Sequence, residues 1–293
     1  MFYRQKILLA LVEVSGKRLN STDLLKLLFL FCQETGQNHY DFFPHKFGAF
    51  SFMVDYDKRK LIEQGHLESA KYYQLPPNKS FLDLLRSKDK AAVTAFAHRT
   101  RNLRGRQLIR KTYLEYPEYC ARSTILSQVL SIQERMQIQA IQDRARKQTL
   151  FTIGYEGSTI DNYLRRLVNN DIAVLIDIRR NPFSRKHGFS KKSLQGYLQR
   201  ASIQYRHMPE LGIASHLRRS LTDEASYRVL FDLYTQEILP GQTQALEQIK
   251  LLTQQFHRVA LTCFEANPCM CHRHKVTEAF EQDPDFRFQI QHI

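Results

Sequence analysis

The sequence predicts an α/β C-terminal domain, a small and mostly parallel sheet flanked by helices, preceded by a mostly α, winged-helix-like N-terminal domain. Three observations predict it. From residue 149 onward, short β-rich apolar runs alternate with helical stretches, the pattern of strands buried on both faces. Residues 1–75 instead read as helix, helix, turn, helix and a small strand. The charge divides in the same way. Of a formal net charge of +14, residues 1–150 hold 25 Lys/Arg against 14 Asp/Glu, and the remainder holds 18 against 15. The domains are therefore set at 1–148, basic and mostly helical, and 149–293, α/β.

In the first half, apolar residues at helical spacing (Ile7, Leu8, Leu11, Val14) predict a helix over Tyr3–Val14 that stops at Ser15-Gly16. Asn20-Ser21-Thr22 supplies an N-cap for a helix over Asp23–Glu34, closed by Gly36. An aromatic stretch, Tyr40 to Ser51, carries Gly48 for a tight turn, and Ser51 caps a third helix over Phe52–Gln64. A short β pattern, Lys71-Tyr-Tyr-Gln-Leu75, precedes Pro76-Pro77. Leu24-Leu-Lys-Leu-Leu-Phe-Leu30, Lys46-Phe-Gly-Ala-Phe-Ser51 and Leu61 to Leu67 resemble the Panacea-type antitoxin and phage-associated domain, with Ala49 where that family usually has proline. The resemblance covers about residues 1–75 and implies binding of a partner protein; an ordinary helical domain is the alternative.

Between residues 90 and 112 there is no acid after Lys90, while Arg99, Arg101, Arg104, Arg106, Arg110 and Lys111 accumulate. Such a one-signed run suits contact with a phosphate backbone, a solvated helical face being the alternative. Thr124–Arg146 reads as one long amphipathic helix that ends the first half.

The second half opens on Leu150-Phe-Thr-Ile-Gly-Tyr155 and Ala173-Val-Leu-Ile-Asp-Ile178, two strands joined by a helix that Ser158 or Thr159 caps, a βαβ unit. A helix over Ser190–Arg200, a strand over Ile203–Met208, helices over Ala225–Ile238 and Thr243–Phe256, a strand ending at Cys263, a helix over Met270–Phe280 and a β segment at Phe286–Ile290 complete the alternation. No apolar run reaches 18 residues, and the N-terminus is not signal-like. Five cysteines, three of them within nine residues, fit reduced thiols better than a disulfide framework, so a cytoplasmic protein without membrane contact is expected.

Chemistry concentrates in Leu261-Thr-Cys-Phe-Glu-Ala-Asn-Pro-Cys-Met-Cys-His-Arg273. In open parallel sheets ligands bind beyond the carboxyl ends of the strands. Read to those ends, the strands deliver Tyr155, Asp177-Ile-Arg-Arg180, His207 and Cys263-Phe-Glu265 with Cys269 to one edge. Asp177 and Glu265 suit paired carboxylates for acid/base work, an Asp177–arginine structural pair being the alternative. Arg179, Arg180, Arg185 and Arg273, with Ser184 and the first N–H groups after Pro268, suit phosphate recognition. Cys269, near a helix start and Arg273, is a candidate nucleophile. Tyr155 is a candidate hydrogen-bond donor or stacking partner, or a core tyrosine. No cofactor is required. Zinc on Cys263, Cys269, Cys271 and His272 is an open alternative, against which C-x-C-H is tighter than the usual knuckle, so adjacent side chains would point apart.

Thr152-Ile-Gly-Tyr155, Asp177-Ile-Arg179, Pro182, Ser184, Gly188-Phe-Ser190, Pro209-Glu-Leu-Gly212 and the Cys263–Arg273 block are similar to the family catalogued as domain of unknown function 488, over roughly 151–285. That resemblance implies the α/β fold and a site at these blocks but brings no agreed reaction. The expected function is a hydrolase acting on nucleic acid, DNA more than RNA, or on a nucleotide. Base–sugar cleavage is favoured over phosphodiester cleavage, since no cluster of acids suited to two Mg²⁺ ions is present. Phage defence or DNA modification and repair would be the setting. The alternatives are a non-catalytic DNA-binding or partner-binding protein of toxin–antitoxin type, and a thiol-redox or sulfur-transfer protein.

Overall fold

A computed structural model describes the chain except residues 17, 70–71, 143–146 and 219–223, and except the side chains of residues 140–142, 215, 218 and 224. The chain divides into two compact units, Met1–Asp143 and Arg144–Ile293. No helix among the described residues is long and apolar enough to cross a membrane.

The N-terminal unit is mostly helical. Helices Tyr3–Val14, Ser21–Thr35 and Phe52–Glu63 pack around Ile7, Leu8, Leu27, Leu28 and Phe31. Asn20 Oδ1 accepts the N–H of Asp23 at 2.7 Å and Ser51 Oγ that of Val54 at 3.2 Å, so both expected caps form. Strands Arg18–Leu19, Tyr73–Gln74 and Glu68–Ser69 form an antiparallel sheet with Tyr73–Gln74 in its centre, and Phe43–His45 pairs with Gly48–Phe50. Asp57, fully buried, accepts hydrogen bonds from Arg4, Gln5 and Tyr40 and ties the first helix to the third.

The expected long helix over 124–146 is broken, and residues 143–146 lie outside the described ones. Leu126–Val129 and Ile132–Gln142 are separate helices, with Leu130 extended between them. The sequence holds the cause. Ser131 N–H donates to Glu134 Oε2 (2.9 Å) while Glu134 N–H donates to Ser131 Oγ (3.3 Å), a reciprocal cap that starts a new helix.

In the C-terminal unit five strands form one all-parallel sheet. We number its elements β1 (Thr149–Gly154), α1 (Ile160–Asn169), β2 (Val174–Asp177), α2 (Lys191–Arg200), β3 (Gln204–His207), α3 (Glu224–Leu233), α4 (Thr243–Phe256), β4 (Arg258–Cys263), α5 (Arg273–Glu281) and β5 (Gln289–His292). The spatial order is β5-β1-β4-β2-β3, so β4 enters between the first two strands. Thr159 caps α1 through its side chain, as the sequence suggests. The helical segment expected over 225–238 leaves α geometry at Tyr234, where a π turn runs to Ile238 before Leu239-Pro240. The last strand is displaced from 286–290 to Gln289–His292, because Phe286 packs on Phe280 at 4.5 Å instead of entering the sheet.

Candidate functional site at the carboxyl edge of the parallel sheet

Register places the strand ends side by side: Gly154 pairs with Cys263, and Asp177 pairs with both Thr262 and His207. Tyr155, Asp177, His207 and Cys263 therefore share one edge, as the strand reading requires.

Asp177 and Arg179, two residues apart at the end of β2, form the hub of this edge. Arg179 donates from Nε to Asp177 Oδ1 (2.8 Å) and from Nη2 to Oδ2 (2.5 Å), while Nη1 reaches Tyr155 Oη (2.8 Å) and the Phe189 carbonyl (2.9 Å). Tyr205 adds its hydroxyl to Asp177 Oδ2 at 2.8 Å. Burial and the Asp177 carboxylate push the Tyr205 phenol far above its ordinary value, so it stays a donor. Burial opposes the Arg179 charge, but hydrogen bonding and attraction from Asp177 outweigh it and raise its pKa. Asp177 is fully buried with both oxygens engaged by Arg179 and Tyr205, the Asp–Arg pair that the sequence offers as the alternative to a carboxylate dyad with Glu265. Tyr155 is buried too: its ring stacks on Phe189 at 4.4 Å and 9°, which takes one face away from any ligand.

Beyond the hub, residues 180–190 form a loop held by Ser190, whose hydroxyl donates to the Ser184 carbonyl (2.8 Å) and accepts the Ser184 N–H (3.2 Å). His207 secures its start: Nε2 meets the Arg179 carbonyl at 2.9 Å, and Nδ1 accepts from Lys191 Nζ at 3.0 Å. This loop is one wall of a cleft of about 530 Å³ lined by Tyr155, Arg179, Arg180, Asn181, Phe183, Ser184, Arg185, Ile213, Cys263 and Phe264. Arg180 and Arg185 are exposed. So are two aromatic rings, Phe183 at 77 % and Phe264 at 42 %, which the sequence reading passed over. For Phe183 a signal was present, since it stands among Asn181, Ser184 and Arg185 with only Pro182 as an apolar neighbour.

Two glycines set the cleft's geometry by close approach. A Cβ on Gly154 would lie 1.7 Å from the Glu265 carbonyl oxygen, and one on Gly212 would lie 2.2 Å from Arg180 N. Gly154→Ala is therefore expected to drive the 264–266 segment off the sheet and to cost roughly 2–3 kcal/mol, measured by thermal unfolding. Gly196→Ala in α2, with nothing within 4 Å of its Cβ, is the matched control and should leave stability unchanged or raise it.

At the β4–α5 turn the expected helix over 270–280 begins only at Arg273. Asn267 Oδ1 accepts the Cys269 N–H (3.0 Å) and closes a short 3₁₀ turn, Pro268–Met270, so that N–H is not left for an anion. Arg273, assigned to phosphate by sequence, is 1 % exposed. Its guanidinium donates to the carbonyls of Glu265 (2.5 Å) and Ala266 (2.8 Å) and pins the turn from within. Cys269 is exposed and stands apart from the other thiols, whereas Cys263, Cys271 and His272 are buried with their ligand atoms within 4.8 Å of one another. The expectation that adjacent Cys271 and His272 would diverge fails because Cys271 is extended (φ −137°, ψ 137°) and His272 already turns into the helix (φ −56°, ψ −15°). Burial, then Cys263, pushes the Cys271 thiol well up. Glu265 Oε2 lies 3.3 Å from Cys263 Sγ.

In the N-terminal unit the basic run is less one-signed in space than in sequence. Arg99 pairs with Glu34 (2.8 Å), Arg110 with Glu134 and Lys111 with Glu115. Arg104 is turned inward onto the carbonyls of Thr100, Leu103 and Ser15. Arg101 and Arg106 are exposed, and among the described residues neither has an ion pair. Arg106 lines a cleft with Asn20, Ser21, Thr22 and Asp23.

Fold and site together define an α/β domain with a five-stranded parallel sheet and an arginine- and aromatic-lined cleft at its carboxyl edge. Residues 159–280 match the model of the family described as Domain of unknown function DUF488. The matched span takes in the Asp177–Arg179 hub, the 180–190 loop, Gly212 and the Cys263–Arg273 turn. No curated protein and no solved structure matches the chain.

Proposed function

We propose that the C-terminal unit is a hydrolase acting on a nucleotide or on a nucleic-acid strand, with base–sugar cleavage as its reaction. The carrying observation is one cleft in which exposed Arg180 and Arg185 lie among exposed Phe183 and Phe264. Guanidinium forks take phosphate oxygens bidentately, and flat apolar rings take the face of a base. Glu265, next in sequence to Phe264 and against Cys263 on the cleft wall, is the carboxylate left for proton transfer once Asp177 is committed to Arg179. A carboxylate beside developing positive charge and able to move a proton serves base–sugar cleavage, whereas two-metal phosphodiester cleavage asks for a cluster of acids.

A second reading has its own support. The N-terminal elements run helix, strand, helix, a short strand pair, helix, strand, strand, with the last strand central in the three-stranded sheet, and this supports reading the unit as winged-helix-like and Panacea-like, a scaffold for DNA or a partner protein. On that reading the unit recruits the substrate, or binding is the whole function and the chain is a regulator of toxin–antitoxin type. The thiol-redox reading is weaker, because the exposed thiol, Cys269, is separate from the buried pair.

The test is release of free base, followed chromatographically, from single- and double-stranded DNA, RNA and mononucleotides. Glu265→Gln should lower turnover by about 10²-fold or more while binding persists. Arg180→Ala with Arg185→Ala should weaken a nucleoside monophosphate at least about tenfold and spare the nucleoside. Absence of any product from all these substrates, with and without divalent metals, would hand the function to the binding reading.

A further inference from the structure

Neither Cys263 nor Cys271 is in a disulfide, and each sulfur faces the same imidazole nitrogen: His272 Nδ1 is 3.8 Å from Cys263 Sγ and 3.9 Å from Cys271 Sγ. The other ring nitrogen, Nε2, sits 3.3 Å from the Ile178 carbonyl just past β2. A hydrogen on Nε2 donating there leaves the Nδ1 lone pair aimed between the sulfurs. The ring is held edgewise on Tyr234 as well, at 5.6 Å and 70°. A histidine whose outer nitrogen is tied to a backbone carbonyl while its inner nitrogen joins two thiols is oriented as metal ligands are.

We propose that Cys263, Cys271 and Nδ1 of His272 bind one zinc ion, with water in the fourth position beside Glu265. Zinc takes thiolate at about 2.3 Å and imidazole at about 2.0–2.1 Å in a tetrahedron, which sets ligand atoms roughly 3.5–3.8 Å apart. The sulfur–nitrogen separations of 3.8 and 3.9 Å need to close by only a few tenths of an ångström. Two soft sulfurs with one imidazole select zinc over magnesium, calcium or manganese. Three protein ligands leave a position open, and the Glu265 carboxylate, 3.3 Å from Cys263 Sγ, is the polar group at that rim. Cys263 also lines the cleft, so the ion would sit in its wall. The existence of the site stands on this geometry alone. Its role in hydrolysis rests on the function proposed above: zinc brings the pKa of a bound water far down, to about 7, within reach of a carboxylate base.

The experiment uses the full chain, purified without a histidine tag under reducing conditions and free of chelator. Elemental mass spectrometry should find about one zinc per chain. The chelated chain should take up one equivalent of cobalt(II) with a sulfur-to-cobalt charge-transfer band and a tetrahedral visible spectrum, which reads the ligand set without any substitution. Cys263→Ser, Cys271→Ser and His272→Ala, each checked for native circular dichroism, should lose zinc at least tenfold, while Cys269→Ser and Glu265→Gln retain it. No stoichiometric uptake on titration, or a cobalt spectrum without sulfur ligation, would overturn the site. Zinc loss in Glu265→Gln equal to that in Cys271→Ser would overturn the three-ligand assignment. Metal bound at one equivalent with no product from any substrate would remove the hydrolase and leave the site; turnover unchanged in the zinc-free chain would remove the site's catalytic role alone.

Discussion

Asp177→Asn is expected to destabilise the C-terminal unit by about 3–5 kcal/mol, because it leaves a buried guanidinium without its anion. Arg179 is 6 % exposed and commits Nε and Nη2 to Asp177, and its Nη1 fixes Tyr155 and the Phe189 carbonyl. An amide in place of the carboxylate keeps the shape but cannot balance the charge, and its NH₂ would face the Arg179 or Tyr205 donors. The loss should therefore extend beyond one contact to the loop that carries Arg180 and Arg185. Arg179→Met combined with Asp177→Asn should recover much of the loss, since both charges then leave together. Chemical denaturation of the single and double variants, followed by a probe in the C-terminal unit, checks this. A single variant within about 0.5 kcal/mol of the parent chain would show that Asp177 is not the counter-ion. A loss of turnover with stability intact would return Asp177 to the chemistry.

Such a pair was legible in outline, and the reason is geometric. Residues two apart at a strand end point to the same side, so Asp177 and Arg179 could be read as neighbours, and parallel strands put Tyr155 and Cys263 at the same edge; the strand order that sets them beside the pair was not legible. What sequence does not encode locally is which member of a polar cluster is turned inward. Arg273 reads as a phosphate ligand because it follows a turn rich in polar groups, but the carbonyls of Glu265 and Ala266 need donors and Arg273 supplies them. Arg104 is diverted in the same way by the carbonyls of Thr100, Leu103 and Ser15. Neutralising acids were invisible for another reason: Glu34 lies 65 residues from Arg99 in the chain, so a local charge count misses it. The break at Ser131 was legible and went unread, since Ser131-Ile-Gln-Glu134 is a complete capping signal inside an otherwise helical pattern.

Lys26→Met should stabilise the N-terminal unit at pH 6 by up to roughly 4 kcal/mol, with the gain shrinking as pH rises toward 10. Lys26 is the one charged residue in the apolar run Leu24–Leu30, and the helix carries it to 1 % exposure. Its ammonium donates to the Ala49 carbonyl at 2.7 Å, and among the described residues no carboxylate pairs with it. Burial alone lowers its pKa to about 7. The unfolded lysine titrates near 10.4. Between those two values the unfolded chain holds a proton that the folded chain does not, so stability rises with pH across that window and the full cost of the buried charge is present below it. Methionine matches the stem's volume and removes the titration, at the expense of an unpaired Ala49 carbonyl that subtracts about 1 kcal/mol at every pH. The stability difference between variant and parent should therefore slope downward from pH 7 to pH 10. Denaturation of both proteins at four or five pH values between 6 and 10 measures the slope. A difference that does not change with pH would mean that Lys26 keeps an ordinary pKa in the folded chain.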